Sequence, residues 1–222
     1  MEAGISETHA RLLTRLREFG SPERAAWDKN YLKSSWQHWG VTAPQLDQAI
    51  REIVGRPSNE ILPLSVLLWR KPILDLKFAA TRILAGKSVA PSAEIWQFVL
   101  DRMPELDGWA IADSMASVGS RCLTADPRRL DTVEDWVESP HLWTRRASLV
   151  FTLPWTKGGH SPERMLGWAA KLSTDPEWFI QKAIGWWLRQ LSKRDSVRVR
   201  QFLADHGGPL KSVARREATK YL

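Results

Sequence analysis

Residues 178–190 read WFIQKAIGWWLRQ. Apolar residues recur there three or four positions apart, the spacing of one face of an α-helix, and three tryptophans share the segment with Gln181, Lys182 and Arg189. Trp186 and Trp187 are adjacent, and neighbours on a helix point about 100° apart. The two indoles therefore cannot both face one core, and one is expected to face something else. Indole is the main aromatic of the chain, with 13 Trp against 6 Phe and 2 Tyr. Aromatic faces set beside guanidinium groups suit cations, sugars and bases as well as cores.

Outward from this segment the helical spacing repeats. ETHARLLTRLREF, PQLDQAIREIVG, EIWQFVLDRM, RMLGWAAKL, SVRVRQFLADHG and VARREATKYL all carry it, and no segment alternates as a strand would. Ser21, Asp126, Ser139, Ser161 and Asp175 each precede a proline. A capping oxygen followed by a proline, which has no N–H to leave unsatisfied, predicts a helix start at each of these positions. A period is also visible: Pro72, Pro104, Pro140 and Pro176 are 32, 36 and 36 residues apart. Ala79, Ala147 and Ala183 each lie seven residues after their proline, with Lys77, Arg145 and Gln181 two before each alanine. Two helices fit in such a period, so the expected fold is all-α: an α-solenoid or superhelix of HEAT-like antiparallel pairs, about 12 helices in all. The small alanine would let neighbouring pairs approach, and the polar residue beside it would face the concave surface. Chance spacing in a helical bundle is the other reading of the period alone.

At 222 residues the chain is expected to form a single domain over residues 1–222. Hydrophobic content of 43% and charged content of 26% are those of a globular protein. The longest apolar runs, SVLLW and ASLVFTLPW, are shorter than the roughly 20 residues that span a bilayer. The opening residues, MEAGISETHARLLTRL, carry acids early and no uninterrupted apolar stretch, so a cytoplasmic location is expected. Cys122 is the only cysteine, which excludes an internal disulfide and a multi-thiolate metal site. The five histidines are scattered and no metal spacing occurs, so no metal is expected. Nor is there a glycine-rich phosphate cradle or a nucleophile elbow, so no cofactor is expected. Residues 1–140 hold 17 Lys/Arg against 19 Asp/Glu, whereas residues 141–222 hold 15 against 6. A positive surface concentrated in one third of a chain with pI near 9.8 favours a polyanion, nucleic acid above all. A solvated basic face without a partner is the plainer alternative.

Several stretches resemble the AlkD family of DNA alkylation repair proteins, alkylpurine DNA glycosylases made of HEAT-like repeats. They are YLKSSWQHWGVTAP at 31–44, KFAATRIL at 77–84, GWAIADS at 108–114, LWTRRAS at 142–148, FIQKAIGWWLR at 179–189 and RREATKYL at 215–222. In that family, activity is attributed to a tryptophan and an aspartate four residues later on one helix, plus a tryptophan on a later helix. Trp109, Asp113 and Trp186 match those positions. The resemblance likewise implies phosphate contacts by Arg146 and Arg189 and a groove-side tyrosine at Tyr31. Lys182 and Arg145 are added as DNA contacts from their positions alone. One departure stands out: relatives often carry an acid directly after the catalytic tryptophan, where this chain has Ala110.

The chemistry follows from the residue types. Residues four apart share a helix face, so Trp109 and Asp113 point into the same space. Hydrolysis of a glycosidic bond develops positive charge on the sugar, which a carboxylate and indole faces stabilise. N3- or N7-alkylated purines are already cationic and leave without protonation, so one carboxylate suffices. The activity that the resemblance implies, and that this chemistry accommodates, is a monofunctional glycosylase of base excision repair, a hydrolase expected to act as a monomer on alkylated double-stranded DNA and to leave an abasic site. Trp187 is then assigned to packing against the next repeat. The alternatives are a non-catalytic HEAT-repeat protein binding distorted or branched DNA, and a protein-interaction scaffold. Taken singly, Trp109 reads as an ordinary buried side chain, Asp113 as a solvated helix residue or a salt-bridge partner, and Trp186 as core.

Overall fold

The computed structural model describes residues 2–53 and 58–222. Its contacts divide the chain into two compact units, Met1–Cys122 and Leu123–Leu222. The first carries α1 (Glu2–Glu18), α2 (Pro22–Leu32), α3 (Ala43–Ile50), α4 (Ser58–Trp69), α5 (Leu74–Leu84), α6 (Ala93–Arg102) and most of α7 (Trp109–Ala125). The second carries α8 (Leu130–Asp135), α9 (Leu142–Val150), α10 (Glu163–Lys171), α11 (Trp178–Ser192), α12 (Ser196–His206) and α13 (Ser212–Ala218). The fold is all-α as expected, with 13 α-helices among the described residues rather than about 12. Extended pairing there is confined to an isolated bridge between Gln37 and Ile73. No helix of the described residues is long and apolar enough to cross a membrane.

Two of the five anticipated helix starts fall where the Ser/Asp–Pro pair puts them. Ser21 caps α2, accepting from the Arg24 N–H at 3.3 Å, and Asp126 caps a short 3-10 turn at Pro127–Arg129. The other three come later: α9, α10 and α11 begin at Leu142, Glu163 and Trp178. Ser139, Ser161 and Asp175, like Asp126, accept from the N–H two residues on, here of His141, Glu163 and Glu177. That local turn delays entry into the helix, because the side chain satisfies a donor outside it. Two segments are shorter than their periodicity suggests. VARREATKYL stops being helical after Ala218, and PQLDQAIREIVG after Ile50, with Val54 and Gly55 outside the described residues.

The period has a different meaning from the one its pattern suggests. Ala79, Ala147 and Ala183 are buried, as close packing requires. Their polar companions, however, are turned inward. Lys77 donates to the Trp69 carbonyl at the end of α4, lies 3.7 Å from Glu105 and sits over the rings of Trp36 and Trp69. Arg145 donates to the Ser139 and Pro140 carbonyls and to Asp175. Gln181 donates to the carbonyls of Ser173 and Asp175 and accepts from the Lys211 N–H that leads into α13. Each residue thus takes carbonyls left open where a preceding helix ends and binds the segment that opens the next pair. Helix ends leave such groups without intrahelical partners, and a buried one must be satisfied. Burial holds the Lys77 ammonium below the usual lysine range, and the carboxylates of Glu105 and Asp107 offset only part of that effect.

Within the second unit α11 is the central element, packing against α9, α12 and α13. Gly185 permits the approach to α13: a Cβ there would lie 2.7 Å from the Glu217 Cβ and 2.8 Å from the Ala214 carbonyl. Gly185→Ala is expected to cost about 1–3 kcal/mol by overpacking, lowering the thermal midpoint by about 2–4 °C per kcal/mol. Gly167→Ala on α10, where nothing lies within 4 Å of the new atom, is the matched control. It should be neutral or slightly stabilising, because alanine is the better helix former. Equal midpoints for the two variants would refute the close approach.

Candidate functional site

In the first unit, α7 is fixed by its inner face and by polar ties to neighbouring segments. Ile111, Ala112, Met115, Val118 and Cys122 are buried. Ser114 shares a 2.7 Å hydrogen bond with Thr81 of α5, and Arg121 donates to the carbonyls of Leu84, Gly86 and Val89. Trp109 and Asp113, one turn apart, are left half-buried on the outward face. Trp109 meets the ring of Tyr31 edge-on, with centroids 5.7 Å apart. Tyr31 in turn stacks on Trp27, with centroids 4.7 Å apart and planes 22° apart. These three aromatics line a cleft of about 420 Å³, together with Arg24, His38, Phe78, Arg82, Ala110 and Ser114. Both arginines of the cleft are paired, Arg24 with Asp28 at 2.9 Å and Arg82 with Asp47.

In the second unit, α11 resolves the two adjacent tryptophans. Trp187 is fully buried, and its Nε1 donates to the Thr152 carbonyl at 3.3 Å. Its polar edge is thus anchored to the segment that follows α9. Trp186, about 100° round the helix from Trp187, is half-buried in an outward stripe with Trp178, Lys182 and Arg189. The Lys182 ammonium lies over the exposed Trp178 ring at 4.8 Å. Arg189 is ion-paired with Glu217 of α13. Exposed Lys182, Arg215 and Arg216 carry no ion pair among the described residues.

The remaining basic residues of the expected site are placed differently. Arg146 is only 3% exposed, and its guanidinium donates to the Phe179 carbonyl at 2.8 Å. Arg145 is held by Asp175 and two carbonyls, as described above. Tyr31 is 55% exposed and Lys182 is exposed, so both are open to a ligand. Sequence reasoning passed over Trp27 and Trp178, which are 51% and 47% exposed. The signal was available: Trp27 lies four before Tyr31, and Trp178 four before Lys182, one helical turn in each case. Among the described residues no three His, Cys, Asp or Glu side chains group as metal ligands.

Stacked helix pairs tied by buried polar residues define a helical-repeat protein of the HEAT type, with an aromatic cleft in one unit and a basic, tryptophan-bearing helix in the other. The chain belongs to the DNA alkylation repair enzyme family, whose model matches residues 12–222. Family membership makes DNA its partner. The fold is similar to that of an Enterococcus faecalis protein described as a predicted DNA alkylation repair enzyme. That protein is 23% identical, with a TM-score of 0.79 over 91% of this chain and 96% of its own. It is also similar to AlkD2 from Streptococcus mutans, 19% identical, with a TM-score of 0.62 over 80% of this chain and 88% of its own. A comparison with curated proteins finds no match.

Proposed function

We propose that the protein is a monofunctional DNA glycosylase that hydrolyses the N-glycosidic bond of cationic N3- or N7-alkylpurines in duplex DNA, leaving an abasic site. The observation that supports this reading is the half-buried, outward placement of Trp109 and Asp113 one turn apart on α7, with Trp109 lining an aromatic cleft. Asp113 is the group that stabilises the deoxyribosyl cation, and Trp109 packs against the sugar. Trp186, the outward indole of α11, keeps the role that the resemblance implies, on the sugar and backbone of the lesion nucleotide. Because the leaving base is already cationic, the reaction asks for no general acid and no metal.

Phosphate contacts in this proposal fall to Lys182 and to Arg189, which pairs with Glu217 through one nitrogen and keeps further donors. Tyr31 meets the groove. Arg145 and Arg146 act by holding Asp175 and the Phe179 carbonyl in place. The protein would act as a monomer in the cytoplasm, on the nucleoid. The test is release of free base from duplex DNA containing N7-methylguanine. Release no faster than the spontaneous rate would end the enzyme reading and leave a protein that binds damaged DNA without cleaving it.

A further inference from the structure

The edge-on contact of Tyr31 with Trp109 joins the end of α2 to the start of α7, two segments far apart in the chain. One carboxylate fastens the same two segments. Asp107, two residues before Trp109, accepts from the Ser35 N–H at 2.6 Å, from the Ser35 hydroxyl at 2.7 Å and from the Ser34 hydroxyl at 2.9 Å. Ser34 is buried, and its oxygen also accepts from the Trp36 N–H at 3.2 Å. Between Tyr31 and this clamp, Lys33 closes α2 in the left-handed region, at φ 53°. Such a conformation costs a residue that carries a side chain, and it persists where its surroundings fix it. The two segments also meet directly, since a Cβ on Gly108 would lie 3.3 Å from the Leu32 carbonyl oxygen. Tyr31 and Trp109 therefore stand on the two chain ends that Asp107 holds together, although Asp107 has no part in the bond cleavage proposed above.

We propose that Asp107 is a positioning residue for base excision: by holding Ser34 and Ser35 to the start of α7, it sets the angle at which the Trp109 indole packs against the sugar. This rests on the reading that Trp109 works at a lesion. Tyr31 limits the ring along one edge, and the clamp keeps Tyr31 in place. Rate depends steeply on such placement, because a shift of about 1 Å from the productive geometry costs up to about 10²-fold. Affinity is spread over many phosphate contacts and barely registers the shift.

The experiment measures single-turnover release of N7-methylguanine and binding to a duplex carrying a tetrahydrofuran abasic analogue, well below the thermal midpoint of every variant. Fluorine NMR of protein labelled with fluorotryptophan follows the Trp109 resonance, identified by its loss in Trp109→Phe. Asp107→Ala is expected to slow release by about 10- to 100-fold, to change affinity by less than about 2-fold and to displace the Trp109 resonance. Asp107→Asn should recover most of the rate, because its carboxamide oxygen still accepts from the Ser35 N–H and the serine hydroxyls turn to accept from its NH₂. Ser35→Ala removes a hydroxyl donor at an exposed position, should slow release by about 3- to 10-fold, and serves as the test should Asp107→Ala fail to fold. Ser92→Ala, which removes the side-chain cap of α6 in the same unit, controls for lost stability: its midpoint should fall while its rate stays within about 2-fold of wild type. Release by Asp107→Ala as fast as by wild type would overturn the proposal. So would an equal loss of affinity, or a Trp109 resonance left in its wild-type position. A wild type that releases no base ends the glycosylase reading instead, and a resonance displaced in Asp107→Ala and restored in Asp107→Asn then leaves the placement of Trp109 by Asp107 standing.

Discussion

Asp113→Asn is expected to reduce the rate of N7-methylguanine release by about 10²- to 10³-fold, the usual consequence of removing one preorganised electrostatic group from a transition state. Asparagine matches aspartate in size and keeps one oxygen, so the half-buried position on α7 should hold it without repacking. In the proposed mechanism, what is lost is the negative charge that stabilises the sugar cation as the glycosidic bond lengthens. Charge that develops only in the transition state acts on rate rather than on binding, so kcat should fall while affinity for the abasic-analogue duplex stays within about 2-fold. Chromatographic detection of free base under single-turnover conditions reads the first quantity, and anisotropy reads the second. A variant as fast as wild type would remove Asp113 from the mechanism.

Gln181→Leu is expected to destabilise the protein by about 3–5 kcal/mol. Its carboxamide is 1% exposed and joins the Ser173 and Asp175 carbonyls to the Lys211 N–H. Leucine fills a similar volume but leaves two acceptors and a donor without their partner, at about 1–3 kcal/mol for each one that water cannot reach. The Lys211 end is partly exposed, which is why the lower part of the summed range is expected. The thermal midpoint should fall by about 6–20 °C. Arg216→Ala on the exposed face of α13 should change stability by less than about 0.5 kcal/mol. A Gln181→Leu midpoint within about 1 °C of wild type would show that the buried tie is not what secures α13.

Much of this arrangement is legible before folding. The spacing of apolar residues in WFIQKAIGWWLRQ, the small alanines and the proline period all point to paired helices, and those helices are present. The shared face of Trp109 and Asp113 is equally local, since four residues make about one turn wherever the helix lies. The basic excess of residues 141–222 needs only counting. The polar member of the period was misplaced for a definite reason. Lys77, Arg145 and Gln181 resemble surface residues in the linear pattern, and the carbonyls that draw them inward belong to the ends of other helices.

The sequence by itself determined the helical class and the pairing of an indole with a carboxylate, because each follows from the 3.6-residue turn of a single helix, and it determined the family through the motifs that carry the resemblance. Only the tertiary structure decided which of Trp186 and Trp187 is buried, that Arg146 lies under Phe179 while Lys182 is free to meet a ligand, and that Trp27 stands exposed against Tyr31. Burial is set by residues distant in the chain. Trp187 is placed by Thr152, 35 positions earlier, and no periodicity within α11 specifies that partner.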